Sequence, residues 1–168
     1  CGISSVSDGV RSEDEYNAKG YYEHEKVRQW ELDAGWLDEH RGKAIKIVEP
    51  LLRQAPLPKG RKVVVRMHRD LDAVLQSQRR MKGNASAPLG LREKVNWVEE
   101  FEKTKLVLEL DPYTEIIDIS FESLLHAVEF NEISNSLDQS LKALSSAVNK
   151  KVDISLLKTV ISPQLRRF

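Results

Sequence analysis

Cysteine is almost absent from this chain: Cys1 is the single one among 168 residues. That excludes an intramolecular disulfide and any zinc site built from cysteines, and it agrees with a reducing, cytoplasmic setting. An excess of either charge is lacking too. Lys and Arg total 26, matched by 26 Asp and Glu, so no overall field draws the chain to nucleic acid or to an acidic membrane surface. Short basic pairs, Arg79-Arg80 and Arg166-Arg167, are the local exceptions. No apolar run reaches membrane-spanning length, and no signal-peptide pattern occurs. Internal repeats are missing. His40, His68 and His126 show no metal-ligand spacing, so no metal is expected.

What remains describes a soluble globular chain. Its 40% hydrophobic residues are enough for a core, and its length predicts a single domain over residues 1–168. Residues 1–20 are polar and read as loop. A helical period follows over 21–37, with Val27, Trp30, Ala34 and Leu37 on one face. Ala44 to Val48 reads as a strand that Pro50 cuts short. Leu51-Leu52 begins a short helix or turn ahead of Pro56, Pro58 and Gly60. Lys82 to Gly90 is the clearest flexible connection. From Leu91 the apolar residues Leu91, Val95, Val98 and Phe101 predict a helix lying on that stripe, ended by Asp111-Pro112. Thr114 to Ser120 is a strand, and Phe121 starts another helix. Helices are expected over Asp138 to Val148 and Asp153 to Val160. Alternating strands and helices predict an α/β fold with a parallel sheet.

The most informative stretch runs from Lys62 to Met81. Val63, Val64 and Val65 form a β-branched run of the kind that fills a strand buried on both faces. Arg69 stands at the junction, Asp70 is a good helix N-cap, and Asp72 suits the first turn. Leu71, Val74, Leu75 and Met81 then fall on one helical face. This predicts a strand running straight into a helix. Ligands of open α/β sheets bind at the carboxyl ends of strands, so Arg69 stands where a phosphate would be met.

HRDLDAVLQSQRRM, which begins at His68, resembles the 3′-phosphate-binding segment of sulfotransferases that use 3′-phosphoadenosine 5′-phosphosulfate (PAPS). It is most similar to a bacterial branch in which R-D-L-D-x-V-L-x-S-Q recurs. Three further segments carry the likeness. AIKIV precedes the strand, and IDISFESLL matches the later strand followed by F/Y-E-x-L-L. DGVRSEDEYNAKGYYE is similar to a segment usually written D-x-N-P-x-G-Y-x-E, with Ala18 in place of the proline. DISLLKTVISPQLRR resembles the C-terminus of the same branch. The likeness covers most of the chain and is weakest from His126 to Lys150.

The resemblance implies a P-loop nucleoside-triphosphate-hydrolase-like sulfotransferase fold. It implies an enzyme that moves a sulfonate from PAPS to a hydroxyl or amine acceptor without metal. The acceptor would be a small molecule, a glycan or a peptide. Arg69 and Ser77 would hold the 3′-phosphate of the co-substrate; eight helical steps rise about 12 Å, much of which a long guanidinium arm can span. Lys46 corresponds to a lysine that touches the transferring sulfonate, but the family's histidine two residues on is Val48 here. Glu23 in GYYEHE is then the candidate base, with His24 and Glu25 as rivals. Tyr21, Tyr22 and Trp30 are candidates to line an acceptor pocket, and Arg11 and Arg166 to add positive charge. The family's G-x-P-R-S-G-T loop, which holds the 5′-phosphosulfate, has no counterpart in residues 1–168. The expectation is therefore a chain truncated at its N-terminal side and probing only half of the nucleotide. A non-catalytic nucleotide-binding homologue and a nucleoside-phosphate kinase are the alternatives; a G-K-[ST] loop would mark the kinase.

Overall fold

The computed structural model describes residues 2–10, 12–13, 22, 24–29, 35–53, 57–83, 90–156 and 161. Among them the chain is a mixed α/β structure with a two-stranded parallel sheet and five α-helices. It divides into two compact units. One comprises Cys1, Arg61–Asn96 and Tyr113–Phe168; the other comprises Gly2–Gly60 and Trp97–Pro112.

The sheet belongs to the first unit. Strand β1 (Lys62–His68) pairs in parallel with β2 (Thr114–Ser120), in register from Lys62 opposite Thr114 to His68 opposite Ser120. Both strands are rich in β-branched Val, Ile or Thr, which pack well on a pleated surface. Helix α2 (Leu71–Met81) follows β1, and the Asp70 carboxylate caps it by accepting from the Ala73 N–H at 2.9 Å. Helix α4 (Phe121–Phe130) follows β2, capped by the Ser120 hydroxyl, which accepts from the Ser123 N–H at 3.1 Å. It stops at Asn131, whose φ of 57° is the left-handed conformation that Asn tolerates at a helix end. Helix α5 (Asn135–Ala147) is capped in the same way by Ser134.

The core of this unit gathers on β2. Ile117 and Ile119 are buried against Leu124 and Ala127 of α4 and Leu137, Leu141 and Ala147 of α5, with Val63 at the margin. The Val63-Val64-Val65 run therefore does not make a strand buried on both faces. Val65 and Met67 remain 39% and 48% exposed, while Arg66 is the buried residue of β1. A strand buried on both faces needs a sheet wider than two strands and cover on each side; here the helices cover one face, and mainly over β2. Helix α5 also protects the outer edge of β2. The bond from Lys62 N–H to Tyr113 C=O sets the phase of the ladder, so the Asp118 carbonyl points away from β1. The Ser140 hydroxyl donates to it at 2.8 Å, which satisfies an edge carbonyl that would otherwise need water.

In the second unit, extended segments carry the core between short helices. Val6, Val27, Trp36 and Leu37 are buried, with Ile45, Ile47, Leu51, Leu52 and Leu57 packed on them. Val27 lies in a 3₁₀ helix at Glu25–Gln29, and Trp36 and Leu37 lie in another at Gly35–His40. The expected helical face over 21–37 thus has Val27 and Leu37 inside; Trp30 and Ala34 lie outside the described residues. Helix α1 (Glu49–Leu52) carries Pro50 in its first turn, where the missing N–H costs nothing. Ala44 to Val48 is extended but is not a strand of a sheet. It makes one bridge, Ser5 to Ala44, and alternates Ile45 and Ile47 toward the core with Lys46 and Val48 exposed.

Helix α3 (Leu91–Glu109) overturns the expected stripe. Leu91, Val95 and Val98 are 78%, 45% and 53% exposed, while Thr104 and Leu108 are buried. The charges on that other face are engaged: Glu93 with Arg79, Lys94 with Asp72, and Glu100 with Arg53. Ion pairs and hydrogen bonds let polar residues face a neighbouring element at little cost, which apolar periodicity alone does not register.

Candidate functional site

Direct strand-to-helix junctions bring chemistry to the carboxyl edge of the sheet. Because β1 and β2 are parallel and in register, their last residues, His68 and Ser120, lie side by side. The residues that follow open α2 and α4 at the same edge. Asp70 N–H donates to Glu122 Oε1 at 2.8 Å, which ties the start of α2 to the first turn of α4. The Arg69 guanidinium lies 4.9 Å from the centroid of the Phe121 ring, within cation–π range. Ser77 is half-buried about two turns into α2.

Beside these junctions is a cavity of about 220 Å³ lined by His68, Asp118, Ser120, Ser123, Ser136, Leu137 and Ser140. Its centre is a pair of side chains on adjacent strands. His68 Nε2 is 2.6 Å from Asp118 Oδ1, and the buried Arg66 guanidinium approaches the same oxygen at 3.6 Å. The serines come from the cap and first turn of α4 and the first two turns of α5. Ser120 accepts from the Ser123 N–H and donates to Glu122 Oε2 at 3.2 Å, and the Ser136 hydroxyl lies 3.2 Å from that of Ser134. This arrangement offers an acceptor carboxylate, an imidazole and hydroxyls around one apolar wall, Leu137.

The residues singled out in the sequence are distributed unevenly. Arg69 and Ser77 lie in the unit that holds the sheet, Arg69 at the β1–α2 junction and Ser77 along α2. Lys46 lies in the other unit and is exposed. Glu23 lies outside the described residues, as do Arg11, Tyr21, Trp30 and Arg166. Tyr22 is 56% exposed. His24 stacks on Trp36 with ring centroids 4.9 Å apart. Glu25 opens a 3₁₀ helix, and its N–H donates to Asp8. His68 joins Asp118 across the strands.

Asp118, Ser123, Ser136 and Ser140 were not singled out in the sequence. Asp118 did carry a signal: a carboxylate between Ile117 and Ile119 in a strand is as costly as a lysine there unless it meets a partner. The serines carried none, because their convergence depends on how α4 and α5 pack. Among the described residues, no group of three or more His, Cys, Asp or Glu is arranged to hold a metal ion, and no helix is long and apolar enough to cross a membrane. Comparisons with protein-family models, curated proteins and solved structures found no match.

Proposed function

We propose that this chain belongs to a PAPS-dependent sulfotransferase of P-loop fold and binds the 3′-phosphate end of the nucleotide through Arg69 and Ser77. The observation that carries the reading is the β1–Arg69–α2 junction. A strand ending at His68 passes through Arg69 directly into a capped helix beside a second parallel strand, in the segment whose sequence resembles the family's 3′-phosphate site. Ligands of parallel α/β sheets gather at this edge, and a guanidinium there can meet phosphate oxygens through two N–H groups.

In the reaction proposed, the acceptor hydroxyl or amine attacks the sulfur of PAPS in line with the bond to the 5′-phosphate oxygen. The new bond to sulfur forms as the S–O bond to the phosphate breaks. 3′,5′-Diphosphoadenosine leaves, and the acceptor proton passes to a base, for which Glu23 is the candidate. Lys46 is the candidate for contact with the transferring sulfonate, whose charge positive groups stabilise.

The test is binding. Arg69→Ala should weaken the affinity for 3′,5′-diphosphoadenosine by about 10- to 100-fold, the worth of a hydrogen bond to a charged group. It should leave the affinity for AMP, which lacks the 3′-phosphate, nearly unchanged. Calorimetric titration of both nucleotides against both proteins separates the cases. Equal losses for the two nucleotides would take Arg69 out of this role.

A further inference from the structure

We propose that the cavity between the ends of β1 and β2 and the first turns of α4 and α5 binds a neutral, hydroxyl-rich ring, of the sugar or polyol class. Resting on the sulfotransferase reading, this cavity is the acceptor subsite.

The Asp118 carboxylate supplies the first argument. Among the described residues its side-chain contacts, to His68 and Arg66, are made through Oδ1. The second oxygen is therefore open to accept from a ligand hydroxyl, and Asp118 is 44% exposed along its side chain. Serine hydroxyls complement it. Ser140 is committed to the Asp118 carbonyl, and Ser120 to the cap of α4. Among the described residues the Ser136 hydroxyl has one hydrogen-bond partner, that of Ser134, and the Ser123 hydroxyl has none. Each can both donate and accept, as ligand hydroxyls require. Leu137 offers an apolar wall to the C–H face of a ring. At about 220 Å³ the cavity lies below the roughly 300 Å³ at which pockets for drug-sized ligands begin, so the occupant is a single ring.

Two helix N-termini meet this cavity, which by itself would invite an anion. One N–H of each first turn is already engaged, however: Ser123 N–H by the Ser120 hydroxyl and Leu137 N–H by the Ser134 hydroxyl. The Asp118 carboxylate in the cavity wall opposes a phosphate or sulfate there. A neutral ring of hydroxyls meets neither obstacle.

The experiment is an amide NMR titration of the 168-residue chain with methyl glucoside and myo-inositol, and separately with inorganic phosphate. The polyols should move the signals of Asp118, Ser123, Ser136 and Leu137 in a saturable way. Asp118→Asn and Ser123→Ala should each weaken that binding about tenfold, as for one lost hydrogen bond. Ser123→Ala removes no hydrogen bond among the described residues and remains informative if Asp118→Asn is poorly folded. Saturable phosphate binding at these residues, tightened by Asp118→Asn, would overturn the proposal, as would polyol shifts that neither variant changes. Titration with 3′,5′-diphosphoadenosine in the same series separates the two readings. Polyol binding without nucleotide binding supports the cavity and removes its role as a sulfotransferase acceptor site; nucleotide binding without a polyol response does the reverse.

Discussion

Two side chains on the same face of the sheet, paired in register, should respond very differently to truncation. Val65 of β1 faces the same side as Ile117 of β2, directly across the ladder. Ile117 is 4% exposed beneath α4 and α5, whereas Val65 is 39% exposed. Ile117→Ala removes buried carbons from under two helices and leaves a cavity, a change that costs about 2–5 kcal/mol. Val65→Ala removes two methyl groups, worth about 0.8 kcal/mol each when fully buried. With three-fifths of that burial present, the loss is about 1 kcal/mol. Against a total stability of about 5–15 kcal/mol, the first loss is severe and the second mild. Urea unfolding followed by circular dichroism measures both. With a slope of about 2 kcal/mol per molar urea, the midpoint should fall by about 1–2.5 M for Ile117→Ala and by about 0.5 M for Val65→Ala. Val65→Thr, which keeps the β-branch, should fall less still, because part of the Val65→Ala loss is strand preference. Similar losses for Val65→Ala and Ile117→Ala would refute this reasoning, since they would mean that β1 is covered as fully as β2.

Other changes test local devices. Asp70→Ala should cost about 1 kcal/mol by uncapping α2, which a lowered urea midpoint would register; no change would mean that solvent replaces the cap. Ser140→Ala leaves the Asp118 carbonyl without its donor and should cost about 0.5–1.5 kcal/mol, with faster amide exchange along β2; unaltered exchange would show that the hydroxyl does not hold that edge. Asp8 is held below the usual carboxylate range by the Val10 N–H and then the Glu25 N–H, which donate to it. The folded state therefore binds its proton less readily than the unfolded chain. The resulting stability is complete above the ordinary carboxylate value and disappears as pH falls through the lowered one. Asp8→Asn should accordingly reduce stability at pH 7 and make little difference in strong acid; a deficit that persists unchanged in acid would count against this account.

Much of the local structure was legible in the residues themselves. The β-branched run of β1, the Ile-rich β2 and the Asp70 cap all depend on neighbours in the chain, and they are present where sequence reading expects them. The faces that these elements bury were less legible. In α3 the apolar stripe Leu91, Val95 and Val98 lies outward, because the inward face is held by ion pairs from residues 14 to 47 positions away. Ala44 to Val48 has the alternation of a strand but only one bridging partner, and pairing is a property of two segments. At the candidate site Arg69 was visible from its place at a strand end. Asp118 and its serines were not, since nothing local announces that 68, 118 and 136 will share a cavity.

By itself the sequence determined where β1, β2, α2, α3 and α4 lie and where they begin. Backbone preference and capping act over three or four residues, so they can be read along the chain. Only the tertiary structure decided that β1 lies beside β2 with His68 level with Ser120, that Arg66 is the buried residue of a valine-rich strand, and that α5 closes the edge of β2. Those outcomes depend on contacts between residues tens of positions apart, where the burial of one side chain depends on which distant helix covers it. The chemistry at the carboxyl edge is set by these long-range contacts.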